Sequence, residues 1–282
     1  MDTIGEITAT LGESPLWHRE LGLFLWVDIV EEMTYAFDPA TGETRTFISG
    51  RPVTALAEAG DDQIVMVTSD GILVGDPAMP TMRADLDLPD TVRANDGKCD
   101  PSGRLWFGTM DRGGRRPLGE LMCLDGSVRS VFHGVTISNG LGWSPDGEVF
   151  YHIDSVPGMV YRHHYDPATG SATGREILVD LSSDPASPDG MAVDAEGNLW
   201  VAMWDGGAIN VYDPDGHVVH VEELPVARPT SIAFGGPDLG DVYVTSASIE
   251  LTDEDRRRQP YAGRVFRLRP GVTGLPLGRF QG

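Results

Sequence analysis

The sequence predicts an all-β chain: a six-bladed β-propeller with four-stranded antiparallel blades, residues 1–282 forming one domain. Three observations predict it. Apolar residues are not sustained at helical spacing anywhere except around Leu251 to Arg258. Short apolar runs bounded by Gly, Pro and Asp recur instead along the whole chain. The turns between those runs also fall into one register, repeated six times at intervals of 40 to 50 residues.

In chain order, Ile4 to Thr10 precede the first repeat and are expected to pair with the last blade, closing the ring without an exposed edge. The six units then carry Trp17, Ala57, Cys99, Trp143, Val193 and Phe234 just before the first turn. Their second strands centre on "LFLWV", "QIVMV", "RLWFG", "EVFYH", "NLWVA" and "DVYVT". First turns such as "CDPSGRLWF", "WSPDGEVFY" and "VDAEGNLWV" alternate with third-to-fourth-strand turns such as "FDPATGET", "YDPATGSA" and "YDPDGHV". Early Asp or Pro presets a compatible φ, and Gly accepts the positive φ that closes the turn. A β-sandwich would not require six copies in one register. The run "LTDEDRRRQ" predicts a short capped helix with local ion pairs.

With 43 acidic and 21 basic residues the formal charge is −22, which repels phosphate backbones and anionic bilayers. Nucleic acid and membrane are therefore excluded as expected partners. The N-terminus has no basic start, and no apolar run reaches membrane-spanning length, so a cytoplasmic monomer is expected. Cys99 and Cys123 match no metal spacing and are expected to be buried free thiols.

In a propeller the first strand of every blade lines the central channel, and all six run the same way. Counting back four residues from each pre-turn position gives Glu13, Val53, Asn95, Asn139, Asp189 and Thr230. Two are carboxylates and three more carry an oxygen. Two carboxylates about 5 Å apart repel by about 3 kcal/mol at an effective dielectric of 20, so a positive charge is expected between them. Carboxylate and amide oxygens without His or Cys suit a hard divalent cation such as Ca²⁺, Mg²⁺ or Mn²⁺. The alternative is a hydrogen-bonded, water-filled channel. Arg93, Arg51 and Arg228 each stand two residues before an anchor. Arg51 and Arg228 are expected in surface or inter-blade ion pairs; beside Asn95 and Asp96, Arg93 is read as a substrate contact. His18 is expected on an exposed turn.

The motifs "GESPLW", "RANDGKCDPSGRLWFGTMD", "SNGLGWSPDGEVFYHIDS", "SPDGMAVDAEGNLWVAMWDGG" and "RRRQPYAGRVFRLRPGVTGLP" resemble the senescence marker protein/gluconolactonase family, which includes regucalcin and the luciferin-regenerating enzymes. The resemblance runs in order through nearly the whole chain, and that family's fold is a six-bladed propeller. It implies that Glu13, Asn139 and Asp189 hold one divalent cation, variously Ca²⁺, Zn²⁺, Mn²⁺ or Mg²⁺ among members. It also implies Arg93 and Asn95 as substrate contacts and Asp189 as general base. Asp96 is grouped with these as a substrate-binding candidate. Members typically hydrolyse sugar lactones. Some animal members carry a substrate-binding Glu three residues after "GTM"; here that place is Gly113, flanked by Arg112, Arg115 and Arg116, so the preferred lactone does not carry over.

The expected chemistry is metal-dependent opening of a sugar lactone by water, with Asp189 taking the proton. No Ser-His-Asp constellation accompanies the anchors, which disfavours nucleophilic catalysis. Phosphotriester or aryl-ester cleavage at the same site, and a non-catalytic calcium-binding or scaffold propeller, are the alternative readings.

Overall fold

In the computed structural model, which describes residues 1–60 and 62–282, the strands form six four-stranded antiparallel sheets. The chain opens with β1 (Asp2–Ile4). Blade 1 follows as β2 (Gly12–His18), β3 (Leu23–Asp28), β4 (Met33–Phe37) and β5 (Thr44–Ile48). Blade 2 is β6 (Val53–Glu58), β7 (Ile64–Thr68), β8 (Gly71–Gly75) and β9 (Thr81–Asp85). Blade 3 is β10 (Val92–Cys99), β11 (Leu105–Asp111), β12 (Gly119–Asp125) and β13 (Ser127–Val135). Blade 4 is β14 (Ser138–Trp143), β15 (Val149–Asp154), β16 (Met159–Asp166) and β17 (Ser171–Asp180). Blade 5 is β18 (Ser187–Val193), β19 (Leu199–Trp204), β20 (Ala208–Tyr212) and β21 (Val218–Glu223). Blade 6 is β22 (Pro229–Gly235), β23 (Asp241–Ser246), the helix α1 (Asp253–Arg258) and β24 (Val265–Leu268), with β1 as its outermost strand.

That closing strand lies earlier than the expected Ile4 to Thr10. It pairs Ile4 with Val265 and stops at Gly5, whose φ of +58° leaves the extended region. Helix α1 sits where expected, with a capping box between Thr252 and Asp255 and an ion pair between Glu254 and Arg258.

The core lies between blades, where apolar faces of neighbouring sheets meet. Trp106, Trp143, Phe150 and Tyr165 fill the seam of blades 3 and 4; Trp17, Phe24, Trp26 and Tyr243 fill that of blades 1 and 6. Each such side chain, taken fully from water, contributes about 2–3 kcal/mol. The turn motif contributes as well. Asp100 accepts the N–H groups of Ser102 and Arg104 and the indole N–H of Trp106; Asp194 does the same for Glu196, Asn198 and Trp200. A buried carboxylate with all its partners thus locks the first turn to the second strand in both blades. Both cysteines are free and buried.

Every innermost strand has a register irregularity at its anchor: after Glu13, Val53, Ala94, Asn139, Pro188 and Pro229. A β-bulge lets the pleat re-aim a side chain. Ser14, beside Glu13, holds a φ of +48°, a strained value for a residue with a Cβ, and its Oγ accepts the Leu56 N–H at 2.6 Å.

The C-terminal segment after β24 runs across the far mouth of the channel. Asp194 bridges Gly274 on the blade 5 side, and the Phe280 N–H donates to the Glu58 carbonyl on the blade 2 side, diametrically opposite. Between these ends Leu275, Pro276, Leu277 and Gly278 line an apolar cavity of about 320 Å³. Gly278 fits so tightly that a Cβ there would lie 1.7 Å from the Asp100 carbonyl oxygen.

Candidate active site

At the opposite mouth, Glu13, Arg93, Asn95, Asn139 and Asp189, from blades 1, 3, 4 and 5, line one cavity of about 280 Å³. They come together at the register irregularities of the innermost strands: Glu13 and Asn139 stand at the edge of theirs, Asn95 and Asp189 lie within theirs, and Arg93 stands just before. The strands of blades 5 and 6 approach closely enough that a Cβ on Gly190, next to Asp189, would sit 2.2 Å from Ser231 Oγ. The anchors Val53 and Thr230 do not line the cavity. Val53 is buried, and Thr230 Oγ1 donates to the Gly12 carbonyl at 2.5 Å, tying blade 6 to blade 1.

The amide groups form a directed chain. Arg93 Nη1 donates to the Ala94 carbonyl at 2.8 Å and to Asn95 Oδ1 at 2.9 Å. Asn95 Nδ2 donates to Asn139 Oδ1 at 2.9 Å and to the Ser138 carbonyl at 3.0 Å. Asn139 Nδ2 donates to Ser155 Oγ at 2.9 Å. Both amides are therefore oriented, and Asn139 Oδ1 keeps one lone pair for a further partner.

The carboxylates are held at high energy. Burial, reinforced by Asp96, pushes the Glu13 carboxyl up to about 8, with the Ser14 N–H and Arg93 acting against the shift. Burial, then Glu13 and Asp96, raises Asp189 well above the usual carboxylate range. Burial, then Arg112, lowers the Arg93 guanidinium to about 10, against the pull of Glu13. Asp96 does not line the cavity: it is buried beside Asn95, accepts the Gly97 N–H at 2.7 Å, and interacts with Lys98. Lys98 Nζ donates to the Met191 carbonyl at 2.7 Å, across the channel in blade 5.

These residues fit a divalent cation. Among the described residues no group of three or more His, Cys, Asp or Glu is assembled for a metal. The candidate set is instead two carboxylates, Glu13 and Asp189, completed by the Asn139 amide oxygen, with water filling the remaining positions. The buried Asp96 and Asp189 and the half-buried Glu13 stand against two half-buried cations, Arg93 and Lys98, and desolvation disfavours the charged form of all three carboxylates. A hard cation would relieve that imbalance.

The other ionisable residues singled out in the sequence lie elsewhere. Arg228 joins blades 5 and 6 through Asp205 at 2.6 Å, Arg51 stands 3.5 Å from Asp70, and Arg116 pairs with Asp111 at 2.6 Å. His18 is not on an exposed turn. It is fully buried at the end of β2, 3.7 Å from Glu58, because the C-terminal segment covers that face. Among the described residues, the larger cavity at the far mouth has Lys98 and Cys99 as its titratable lining groups, and burial pushes the Cys99 thiol up. It offers no acid–base pair.

The cavity also has a wall that the sequence analysis did not identify: Leu11, Ile29, Met110, Ile137, Val156 and Trp204, with Ser155 and Ser187 beside the floor. Leu11, Ile137 and Ser187 precede anchors by two residues, so the period of a strand places them on the same face. The step that picked out Arg93 would have found them.

Comparison with known proteins gives a consistent result. The family model described as "SMP-30/Gluconolactonase/LRE-like region" matches residues 11–248. Regucalcin of Gallus gallus is 38% identical over 294 residues, covering 100% of this chain and 98% of its own. The pentonolactonase XacC of Haloferax volcanii is 35% identical over 278 residues, covering 96% and 94%. The crystal structure of a calcium-binding protein, regucalcin, from Agrobacterium tumefaciens superposes with a TM-score of 0.95 at 32% identity, covering 99% of this chain and 97% of that one.

Proposed function

The chain belongs to the SMP-30/gluconolactonase/LRE-like family, and on that premise we propose that it hydrolyses a sugar lactone to the corresponding sugar acid with the help of one divalent cation. The observation that supports this reading is the meeting of Glu13, Arg93, Asn95, Asn139 and Asp189 in one cavity. Lactonase relatives support the reaction class, and relatives called calcium-binding make a cation in the cavity reasonable.

In the proposed mechanism Glu13, Asn139 and Asp189 hold the cation. When bound, it supplies a Lewis acid for the lactone carbonyl oxygen and the negative charge that develops there. Arg93, anchored through Nη1, presents its remaining N–H groups to ring oxygens, and Asn95 offers the second lone pair of Oδ1 to a ring hydroxyl. Asp189 takes a proton from the attacking water. The water oxygen bonds to the carbonyl carbon, the ring C–O bond breaks, and Asp189 returns the proton to the departing ring oxygen. The product is a hydroxy acid, with no oxidant or reductant involved.

The test is proton release from a panel of aldono- and aldarolactones, with chelator or with added Ca²⁺, Mg²⁺, Mn²⁺ or Zn²⁺. Hydrolysis that needs the cation and collapses in Asp189→Asn is the expected result. Equal rates in the two proteins refute the mechanism, and faster turnover of phosphotriesters or aryl esters reassigns the substrate class. Cation binding without any hydrolysis identifies a non-catalytic calcium-binding propeller.

A further inference from the structure

Independently of the lactonase reaction, we propose that the cavity at the far mouth is a second ligand site. It takes a small apolar molecule carrying one carboxylate, with the carboxylate on Lys98 and the apolar body beneath the C-terminal segment.

The body of the site is apolar. Leu141 and Trp143 of blade 4 and Ile232 and Phe234 of blade 6 line it together with Leu275 and Leu277 of the C-terminal segment, around about 320 Å³. Small-molecule sites occupy about 300–1,000 Å³, so the space is large enough for one compact ligand. The segment that roofs it is tied on both sides. The Ala195 N–H donates to the Thr273 carbonyl at 2.8 Å, Arg19 Nη2 to the Leu277 carbonyl at 2.9 Å, and the Gln281 N–H to the Gly103 carbonyl at 3.1 Å. Three lining residues are exposed and mark the way in: Pro101 and Pro145, on the first turns of blades 3 and 4, and Pro276 on the segment itself. Proline fixes φ, so this rim holds its shape.

Lys98 is the charged group in that lining, and it is the only lysine in the sequence: every other member of the 21 basic residues is an arginine. It is half-buried, and it lines this cavity but not the candidate active site, so its accessible part opens here. The ammonium donates once, to the Met191 carbonyl at 2.7 Å. Among the described residues it makes no further hydrogen bond and no ion pair within 4.0 Å. Burial pulls the ammonium down, and Asp96 attracts it only from further away. Two of its three N–H groups are thus left without a partner in the protein. A charge removed from water without a close counter-charge is costly, and a compact ammonium on a flexible stem suits a single carboxylate. Nothing else in the lining competes for that role. Ser144 spends its hydroxyl on Asp146 at 2.5 Å and accepts the Val149 N–H at 2.9 Å, and the Trp143 indole nitrogen is buried out of reach. A ligand with several polar groups would leave most of them unpaired.

The experiment uses the full chain made with carbon-13-labelled lysine, in which Lys98 gives the only ε-methylene signal. It is titrated at constant ionic strength with cyclohexanecarboxylate and with the uncharged cyclohexanecarboxamide, and the same pairs are followed by calorimetry. The carboxylate is expected to shift the Lys98 signal saturably and to bind one site at least about tenfold more tightly than the amide. Lys98→Met keeps the apolar stem and removes the charge, so the two compounds should then bind within about threefold of each other. Ala233→Leu adds bulk to the blade 6 wall and leaves Lys98 in place; it should weaken carboxylate binding by at least about tenfold. No shift of the Lys98 signal up to about 10 mM carboxylate overturns the proposal. Equal affinity for carboxylate and amide in the wild type, or unchanged affinity in Ala233→Leu, also overturns it. Should Lys98→Met fail to fold, the comparison of the two compounds on the wild type and on Ala233→Leu decides the question.

Discussion

Replacing Glu13 by Gln is expected to make the cation-free protein more stable while weakening its hold on a cation. The sign follows from the buried carboxyl. Its pKa rises from 4.5 to about 8 on folding, so the folded state keeps a proton that the unfolded chain releases. The stability contributed by this group is fully present below pH 4.5 and is lost as pH rises through about 8. At about 1.4 kcal/mol per pH unit, the loss by pH 7 is roughly 3 kcal/mol. Gln has the same shape and no charge, so Glu13→Gln recovers an energy of that order. For a chain of this length that corresponds to a melting-point rise of roughly 5–10 °C. The assay is denaturant unfolding of both proteins in chelator at pH 5 and pH 8. The stability difference should be near zero at pH 5 and favour the variant at pH 8. Added Ca²⁺ should then stabilise the wild type strongly and the variant weakly. A variant less stable than wild type at pH 8 in chelator, or a difference independent of pH, would refute the electrostatic account.

Other outcomes follow from the same geometry. Asp189→Asn should lower kcat by about 10²–10⁴-fold, read as proton release under saturating lactone. Arg93→Gln should lower kcat/KM by about ten- to a hundredfold, largely through KM, because Arg93 also orients Asn95 through the 2.9 Å hydrogen bond. Gly278→Ala should destabilise the chain by about 1–3 kcal/mol in denaturant unfolding, since the added Cβ meets the Asp100 carbonyl oxygen at 1.7 Å. Burial pushes the Cys123 thiol up to about 12 and the Cys99 thiol up as well, so neither should react with a thiol reagent at pH 8 until the protein unfolds.

The fold was legible because a propeller repeats its turn chemistry. Asp100 and Asp194 stand at equivalent places, each six residues before a Trp whose indole N–H it accepts, and such a pattern is visible in the letters alone. The candidate floor was legible for the same reason, as equal counts along equivalent strands lead to Glu13, Asn95, Asn139 and Asp189. The count could not show that each anchor sits at a bulge, which separates Asn95, in the cavity, from Asp96, buried beside Lys98. The apolar wall was missed because Met110 and Trp204 end second strands and Ile29 directly follows one, and those ends carry no repeated signature. His18 was misjudged because the segment that covers it lies more than 250 residues further along the chain. The distance between Arg19 and Leu277 in sequence leaves no local trace of their contact.

The C-terminal segment lies across the far mouth of the channel, on the side away from the candidate site. Under the proposed reaction, substrate and product would share the mouth beside Trp204 and Val156. Under the proposed reaction a neutral ester coming in and an anion going out would experience the acidic exterior differently: the −22 formal charge is indifferent to the first and expels the second. The surplus of carboxylates thus favours one-way traffic through a two-way gate.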